Sequence, residues 1–320
     1  MTIRFTRRMM LGALPALGFA GAASAQVTGS RLGIPVEEDI TTSLDAWVDT
    51  YGRPTAKVML NDRGPYQFMV DTGSTTTVLA ERVVKELGAP AVGQVTVAGT
   101  TGTAVTPLAS ISEIQTGAVV RNDVRVAVLP DASLTRTDGI LGADIFIGKR
   151  LVFNIQQKQV RIEPSKRQQR TAPLGNMRVR NGLLAEIDGR VGAVGAKLML
   201  DTGAQNCIAN PALSAALQRA HPRLERVDNV RVYGVTGQVI VGQFIGLPKV
   251  DMKAFSVKEA ACVAADAPIF KLWELEDEPA MIVGVNLLSR LSTFSIDYGA
   301  RIFDATLLSD LMARNSMAFG

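Results

Sequence analysis

The chain has 320 residues, of which 47% are apolar and only 5% are aromatic, and 29 are glycines. This length allows two domains that each bury a core, and short runs of Val, Ile and Thr between glycines favour strands over a helical bundle. The formal net charge of +4 falls to +1 without residues 1–25, which hold three arginines and no acid, so the charge does not favour a nucleic-acid or membrane partner.

Residues 1–25 are predicted to be a signal peptide. Basic residues precede the apolar segment Leu11–Ala23, and Ala23-Ser24-Ala25 fits a small-residue cleavage site. Arg7-Arg8 also resembles a twin-arginine export signal, with an ordinary basic leader as the alternative. Because the apolar segment is too short to span a bilayer, we expect an exported, periplasmic or secreted protein without a membrane span.

Residues 26–54 show little periodicity and are predicted to form an N-terminal arm or a propeptide, and residues 55–163 form a first β-rich unit. Its predicted elements, in chain order, are strands over 56–60 and 66–70 joined by a turn at 61–64, a strand end and short helix over 78–87, a projecting hairpin over 94–105, a strand over 124–129, a strand that turns into a helix over 140–146, and a hairpin over 151–162.

Residues 164–175 are polar and are predicted to be a linker, because their basic cluster lacks the interleaved aromatics of a nucleic-acid site. Residues 176–305 then repeat the order of the first unit, and 306–320 form a C-terminal tail. The predicted elements are strands over 183–187 and up to 200 joined by a turn at Asp188-Gly189, a hairpin over 230–239, a strand over 261–264, a strand and helix over 282–288 and a strand over 294–296.

Two apolar strands end in the same acid-containing motif. Phe68–Ser74 reads Phe-Met-Val-Asp-Thr-Gly-Ser and Leu198–Ala204 reads Leu-Met-Leu-Asp-Thr-Gly-Ala. The distance from each acid to the next hairpin-tip glycine is 28 residues in the first unit and 33 in the second. An ordered set of such landmarks indicates a duplication, and we expect it to bring Asp71 and Asp201 together.

Two carboxyl groups in contact share one proton, so one can take a proton from water while the other hydrogen-bonds the carbonyl under attack. The single histidine, His221, lies in an Ala-His-Pro-Arg turn and does not favour a Ser-His-Asp or Cys-His site. The sequence also lacks phosphate-loop, dinucleotide and His-Glu-x-x-His motifs. We expect no metal or cofactor, since the acids at 274–278 fit a solvated charge run.

Both halves resemble the retropepsin-like and pepsin-like aspartic peptidases. Their signature couples the Asp-Thr-Gly strand to a later hydrophobic-hydrophobic-Gly, here Ile140-Leu141-Gly142 and Ile282-Val283-Gly284. The resemblance covers about residues 55 to 305 and implies a mostly β acid-protease fold, with two closed β-barrel-like lobes in one chain and a few short helices. It implies a monomeric aspartic endopeptidase acting on polypeptides. A peptide-binding or structural envelope protein that keeps the fold without the chemistry is the alternative.

The resemblance also implies roles for individual residues. Asp71 and Asp201 would be the catalytic dyad. The loops would be supported by Thr72, Gly73, Ser74, Thr202, Gly203 and Ala204. Two flaps would cover the substrate, formed by Gly99, Thr100, Thr101 and Gly102 and by Tyr233, Gly234, Val235, Thr236 and Gly237. Ser74 can donate a hydrogen bond to Asp71, whereas Ala204 has no hydroxyl for Asp201, which predicts that Asp71 is the ionised partner.

The second unit holds three further features. Cys207 and Cys262 lie in regions that approach each other in this fold, so we expect a disulfide, with two buried free thiols as the alternative. A longer segment before Gly284 contains Phe270, Leu272 and Trp273, which either line a substrate subsite or cover the core. Tyr233 either serves the flap or packs across strands.

Overall fold

A computed structural model describes residues 2–4, 41–45, 47–134, 136–165, 176–252 and 255–307. The described chain is mostly β, with a few short helices, which confirms the predicted secondary-structure class. Within these residues, no helix is long and apolar enough to cross a membrane. The predicted signal peptide beyond Thr2–Arg4, most of the predicted linker and the end of the C-terminal tail lie outside the described residues.

The elements follow one another along the chain as mostly short strands. The strands are β1 (Thr2–Arg4), β2 (Thr42–Asp45), β3 (Trp47–Val48), β4 (Pro54–Leu60), β5 (Arg63–Val70), β6 (Val78–Ala80), β7 (Ala91–Gly99), β8 (Gly102–Thr116), β9 (Val119–Leu129), β10 (Gly139–Leu141), β11 (Lys149–Asn154), β12 (Gln159–Pro164), β13 (Arg178–Arg180), β14 (Leu184–Val191), β15 (Val194–Leu200), β16 (Cys207–Ala209), β17 (Arg226–Tyr233), β18 (Val239–Met252), β19 (Phe255–Ala264), β20 (Ala280–Val283), β21 (Leu291–Asp297) and β22 (Ile302–Leu307). The α-helices are α1 (Glu81–Leu87), α2 (Pro211–Ala220), α3 (Pro268–Leu272) and α4 (Val285–Leu288), and 3-10 turns cover Asp131–Leu134 and Ala143–Phe146.

The first large sheet has nine strands in the order β1-β7-β8-β9-β6-β10-β5-β4-β3, with a further pairing of β8 with β4. That further pairing connects β4 back to β8, so six of the strands follow one another around a ring. Their inward-facing side chains form a buried apolar core that includes Val58, Phe68, Leu79, Ile111 and Ile140, each fully buried. Burial of these branched and aromatic side chains is the main source of stability of such a sheet.

The second large sheet has eight strands in the order β13-β14-β15-β20-β16-β19-β18-β17, with a further pairing of β14 with β18. In both sheets the strand that carries the acid pairs in parallel with the strand that ends at the later glycine: β5 with β10, and β15 with β20. The parallel pairing places the ends of these strands side by side, at the same edge of the sheet.

A third sheet joins the two parts of the chain. Its order is β2-β12-β11-β21-β22, so β11 and β12 from before residue 166 pair with β21 and β22 from after residue 290. Phe153 and Phe294 face each other in this register and stack with ring centroids 4.5 Å apart. The shared sheet fixes the two large sheets relative to each other.

The predicted turn at Asp188-Gly189 is wrong. Both residues lie inside β14, where Asp188 pairs with Lys197, and the chain reverses instead at Gly192, whose φ is +57°. Gly189 is there for close packing, because a Cβ at this position would collide with Leu198. A local Asp-Gly signal was therefore overridden by the pairing of the longer strands.

The segment predicted as an arm or propeptide is built into the described fold from residue 42 onward. Strand β2 pairs with β12 in the shared sheet, and β3 pairs with β4 at the edge of the first large sheet. The side chain of Arg53 forms an ion pair with Asp49, with 11% and 8% of their side chains exposed. This contact closes residues 49–53 into a compact turn, and Arg53 Nη1 lies 3.5 Å from the carbonyl of Gly203 in the second half of the chain.

Candidate active site

The two predicted acids stand where buried strands leave their sheets. Asp71 follows β5, and its backbone N–H donates to the carbonyl of Leu141 at 3.0 Å. Asp201 follows β15, and its N–H donates to Val283 at 3.1 Å. The parallel neighbour strand therefore fixes the backbone of each acid in the same way. Both acids are nearly buried, with 7% of Asp71 and 6% of Asp201 exposed.

The threonine after each acid interlocks the two loops. The Thr72 N–H donates to the Thr202 hydroxyl at 3.1 Å, and the Thr202 N–H donates to the Thr72 hydroxyl at 3.1 Å. Each hydroxyl then donates across to the other strand, from Thr72 to the Leu200 carbonyl at 2.9 Å and from Thr202 to the Val70 carbonyl at 2.7 Å. These four buried bonds join two segments 130 residues apart in sequence.

The glycines of the two motifs allow the carboxyl groups to meet. A Cβ on Gly73 would collide with the Asp201 carboxylate, and a Cβ on Gly203 would collide with the Asp71 carboxylate. Each carboxylate therefore rests on the backbone of the opposite loop. No residue larger than glycine fits at either position without displacing an acid.

The electrostatics of the pair oppose the prediction that Asp71 is the ionised member. Burial, followed by the charge of Asp201, raises the pKa of Asp71 to about 7. Asp71 accepts one backbone bond, from Gly73 at 2.8 Å, whereas Asp201 accepts two, from Gly203 at 2.8 Å and Ala204 at 2.9 Å. Hydrogen bonds to a carboxylate favour its charged form, whereas burial beside a second acid favours the protonated form of Asp71.

The reason for this correction is the orientation of Ser74. Its hydroxyl donates to the Thr76 carbonyl at 2.6 Å and so stabilises its own loop instead of Asp71. The sequence shows that a hydroxyl is present at this position but not which neighbouring acceptor it reaches.

Asp144 and Asn286, two positions after Gly142 and Gly284, stabilise the residues that follow the two Asp-Thr-Gly motifs. In the first half, Asp144 accepts from the Thr77 N–H at 3.0 Å and the Thr77 hydroxyl at 2.9 Å, and burial raises the pKa of its carboxyl. In the second half, Asn286 accepts from the Cys207 N–H at 3.0 Å and the Cys207 thiol at 3.1 Å. Sequence reasoning missed both residues, although the repeat aligns them.

The expected disulfide between Cys207 and Cys262 is wrong. The two residues are direct neighbours on the parallel strands β16 and β19, and both are buried free thiols. Burial raises the pKa of Cys207 to about 12, and its thiol donates to Asn286, so it behaves as a protonated core residue.

A cavity of about 330 Å³ opens above the dyad. Both acids line it, together with Met69 and Ile208 on its apolar side and Asn206 on its polar side. An open cavity lined by two acids and by both polar and apolar residues can hold a peptide segment close to the acids.

Two predicted flap hairpins border this cavity. Gly99, Thr100, Gly234 and Val235 line it directly. The tips also touch each other, because a Cβ on Gly234 would collide with Thr101 and a Cβ on Gly99 would lie 3.2 Å from Thr236.

The remaining flap residues contribute in other ways. Gly102 packs against Gln238, whose amide donates to the Thr103 carbonyl at 3.0 Å. Thr236 and Gly237 border a separate depression beside the first hairpin. Tyr233 lines the cavity rim, pairs with Val239 across the hairpin and is 70% exposed.

Phe270 and Trp273 do not form a wall of this cavity. Each is 2% exposed, and both lie in an apolar cluster with Met199 and Ile282. The rings pack edge to face at 6.1 Å, so the longer segment covers the core behind the loop that carries Asp201. Leu272 is half-buried and faces the first hairpin beside Gly102.

Two cavity residues come from a segment to which the sequence assigned no site. Tyr51 and Arg53 line the cavity, and the guanidinium lies 5.2 Å from the centre of the Tyr51 ring. His221, in contrast, ends α2 and accepts a hydrogen bond from the Ala193 N–H at 3.2 Å. It does not line the cavity.

Comparison with known protein families adds an independent observation. The family model described as aspartyl protease matches residues 56–145, which include the first acid, the first hairpin and the later glycine. Residues 56–145 are similar to an aspartyl protease domain. This confirms the resemblance to an aspartic peptidase family, and the match ends before the second half of the chain. A search of the curated proteins finds no match.

Proposed function

We propose that the protein is an exported aspartic endopeptidase that hydrolyses peptide bonds with water activated between Asp71 and Asp201. One observation carries the proposal: the reciprocal threonine bonds hold two nearly buried carboxyl groups together at the base of a cavity. Burying two acids side by side lowers the stability of the fold, so such a pair is expected where the acids take part in chemistry or are stabilised by other contacts.

The hydrogen bonds of the two acids support different roles for them in this proposal. Asp201 is the base, because two backbone N–H groups stabilise its charge, and it takes a proton from the attacking water. The oxygen of that water bonds to the peptide carbonyl carbon while protonated Asp71 donates to the carbonyl oxygen. As the tetrahedral intermediate collapses, the C–N bond breaks and the proton held by Asp201 moves to the leaving nitrogen. The C=O bond re-forms as one hydroxyl of the intermediate returns a proton to Asp71, which restores the starting state of both acids.

We also propose that residues 55–163 and 176–305 are duplicated lobes of one acid-protease fold. The equivalent parallel pairings of β5 with β10 and of β15 with β20 support this, as does the additional strand pairing in each large sheet. The family match within the first half and the second Asp-Thr-Gly motif support two contributing lobes.

The test is digestion of a denatured protein by the purified chain, with residues 1–25 removed, from acidic to neutral pH. Cleavage should be blocked by a statin-type inhibitor and lost in both Asp71→Asn and Asp201→Asn. Arg125→Leu, an exposed change outside the cavity, serves as the control that should retain activity. Binding of the inhibitor without cleavage under any condition would favour the peptide-binding alternative.

A further inference from the structure

Arg53 places a positive charge beside one of the two catalytic loops. Its Nη1 lies 3.5 Å from the carbonyl of Gly203, and both residues line the cavity. A separation of 3.5 Å is at the limit for a hydrogen bond, so this nitrogen retains donor capacity for a ligand.

The other side of the guanidinium is fixed by the protein. Its Nε donates to the Asp49 carboxylate at 2.6 Å, and the same carboxylate accepts the backbone N–H groups of Tyr51 and Arg53 at 2.9 Å each through its other oxygen. Asp49 does not line the cavity. The arginine is therefore held in one orientation, with its acid behind it and the cavity in front.

Among the described residues, the second half of the chain has no cation at the position equivalent to Arg53. The position that corresponds to Arg53 in the second half, counted from Asp201 as Arg53 is counted from Asp71, is Leu183. Exposed Gln205 and Asn206 extend the polar wall next to Gly203, while the first loop has Thr75 and Thr76 at the equivalent places.

Acids are scarce among the described residues that line the cavity. Asp71 and Asp201 are the only acids among these described residues. Arg231, on the exposed hairpin, adds a second cation to Arg53 at the rim of the cavity. Since Val230 and Val232 alternate with Arg231 along β17, its side chain points away from theirs and remains in water, where its charge is screened. Arg53 is therefore the cation placed to act on a bound peptide.

We propose that Arg53, with Gln205 and Asn206, forms a subsite for an acidic side chain, so that the enzyme favours Asp or Glu on the one side of the scissile bond that lies over Gly203. The inference rests on the proposed peptidase function and names its substrate class. Arginine suits this role because its planar fork binds carboxylates with two donors, and amide side chains can complete the contact.

The test uses amidated peptides that carry Glu or Gln at each of three positions on either side of a cleaved bond. For wild-type protein, kcat/KM should favour Glu over Gln about fivefold at one position, on one side only, as expected for a partly exposed ion pair. The difference should lie mainly in KM and should shrink as salt is raised.

Variants locate the effect. Arg53→Leu should bring the Glu/Gln ratio to about one while Gln peptides are still cut, Arg53→Lys should keep part of the preference, and Arg125→Leu should keep all of it. Asp49→Asn keeps a side-chain oxygen that can accept from the backbone N–H groups of Tyr51 and Arg53 but removes the competing negative charge, so it should increase the ratio. This variant tests the idea even if Arg53→Leu does not fold.

The outcomes separate the two proposals. Cleavage without a Glu preference at any position, or a preference that survives Arg53→Leu, overturns the acidic subsite and leaves the peptidase proposal intact. Failure to cut any peptide overturns the peptidase proposal itself.

Discussion

Replacing Thr202 with valine tests the interlock between the two catalytic loops. The side chain is 1% exposed, and its hydroxyl accepts from the Thr72 N–H at 3.1 Å and donates to the Val70 carbonyl at 2.7 Å. Valine keeps the shape but leaves both buried backbone groups without this partner, at roughly 1–3 kcal/mol each. We therefore expect Thr202→Val to lower the free energy of unfolding by about 2–6 kcal/mol.

Thr202→Ser is the matched control, because it keeps the hydroxyl and removes one methyl group, at about 1 kcal/mol. Urea denaturation followed by tryptophan fluorescence, together with peptide cleavage, measures both variants. Thr72→Val should behave like Thr202→Val, since its hydroxyl makes the reciprocal bonds. The reasoning is refuted if the valine variant is as stable and as active as the serine variant.

Three further predictions concern titration, the thiols and the covered tryptophan. Because the pKa of Asp71 is raised from 3.8 to about 7, the native state holds a proton that the unfolded chain releases. The free energy of unfolding should therefore fall as pH rises between these values, and activity should fall above about pH 7. A urea midpoint that does not depend on pH, or a pH dependence that Asp71→Asn leaves unaltered, would contradict this. A thiol assay on denatured, unreduced protein should find two thiols, Cys207 and Cys262, whereas none would indicate a disulfide. Trp273→Ala should lower the free energy of unfolding by about 3–5 kcal/mol and leave the cleavage preference unchanged. A changed cleavage preference with little loss of stability would show instead that Trp273 lines a substrate subsite.

Much of the strand order could be predicted, because strands and turns depend on apolar runs and turn residues that are neighbours in the sequence. The strand over 56–60, the hairpin tip at Gly99–Gly102 and the helix closed by Gly88 lie where the sequence indicates. The Asp-Thr-Gly motif could also be recognised from the sequence, because an acid followed closely by glycine is unusual at the end of a buried strand.

What the sequence did not give is the direction of individual side chains. Ser74 and Cys207 donate to acceptors selected by the folded backbone, and Arg53 enters the cavity from a segment without periodicity. From the sequence alone, Trp273 fits a substrate subsite as well as the core, and only the burial of its side chain distinguishes the two. These outcomes depend on contacts between distant parts of the chain, which local patterns do not record.

The most direct test of the account is kcat/KM for one quenched-fluorescence peptide, compared among wild-type protein, Asp71→Asn, Asp201→Asn and the double variant. Residues that act as one unit have non-additive effects, so each single variant should lose at least about a thousandfold and the double variant should lose no more. Folding of each variant is checked by its urea transition. A folded single variant that keeps more than about a tenth of wild-type activity would contradict catalysis by a shared Asp71–Asp201 site.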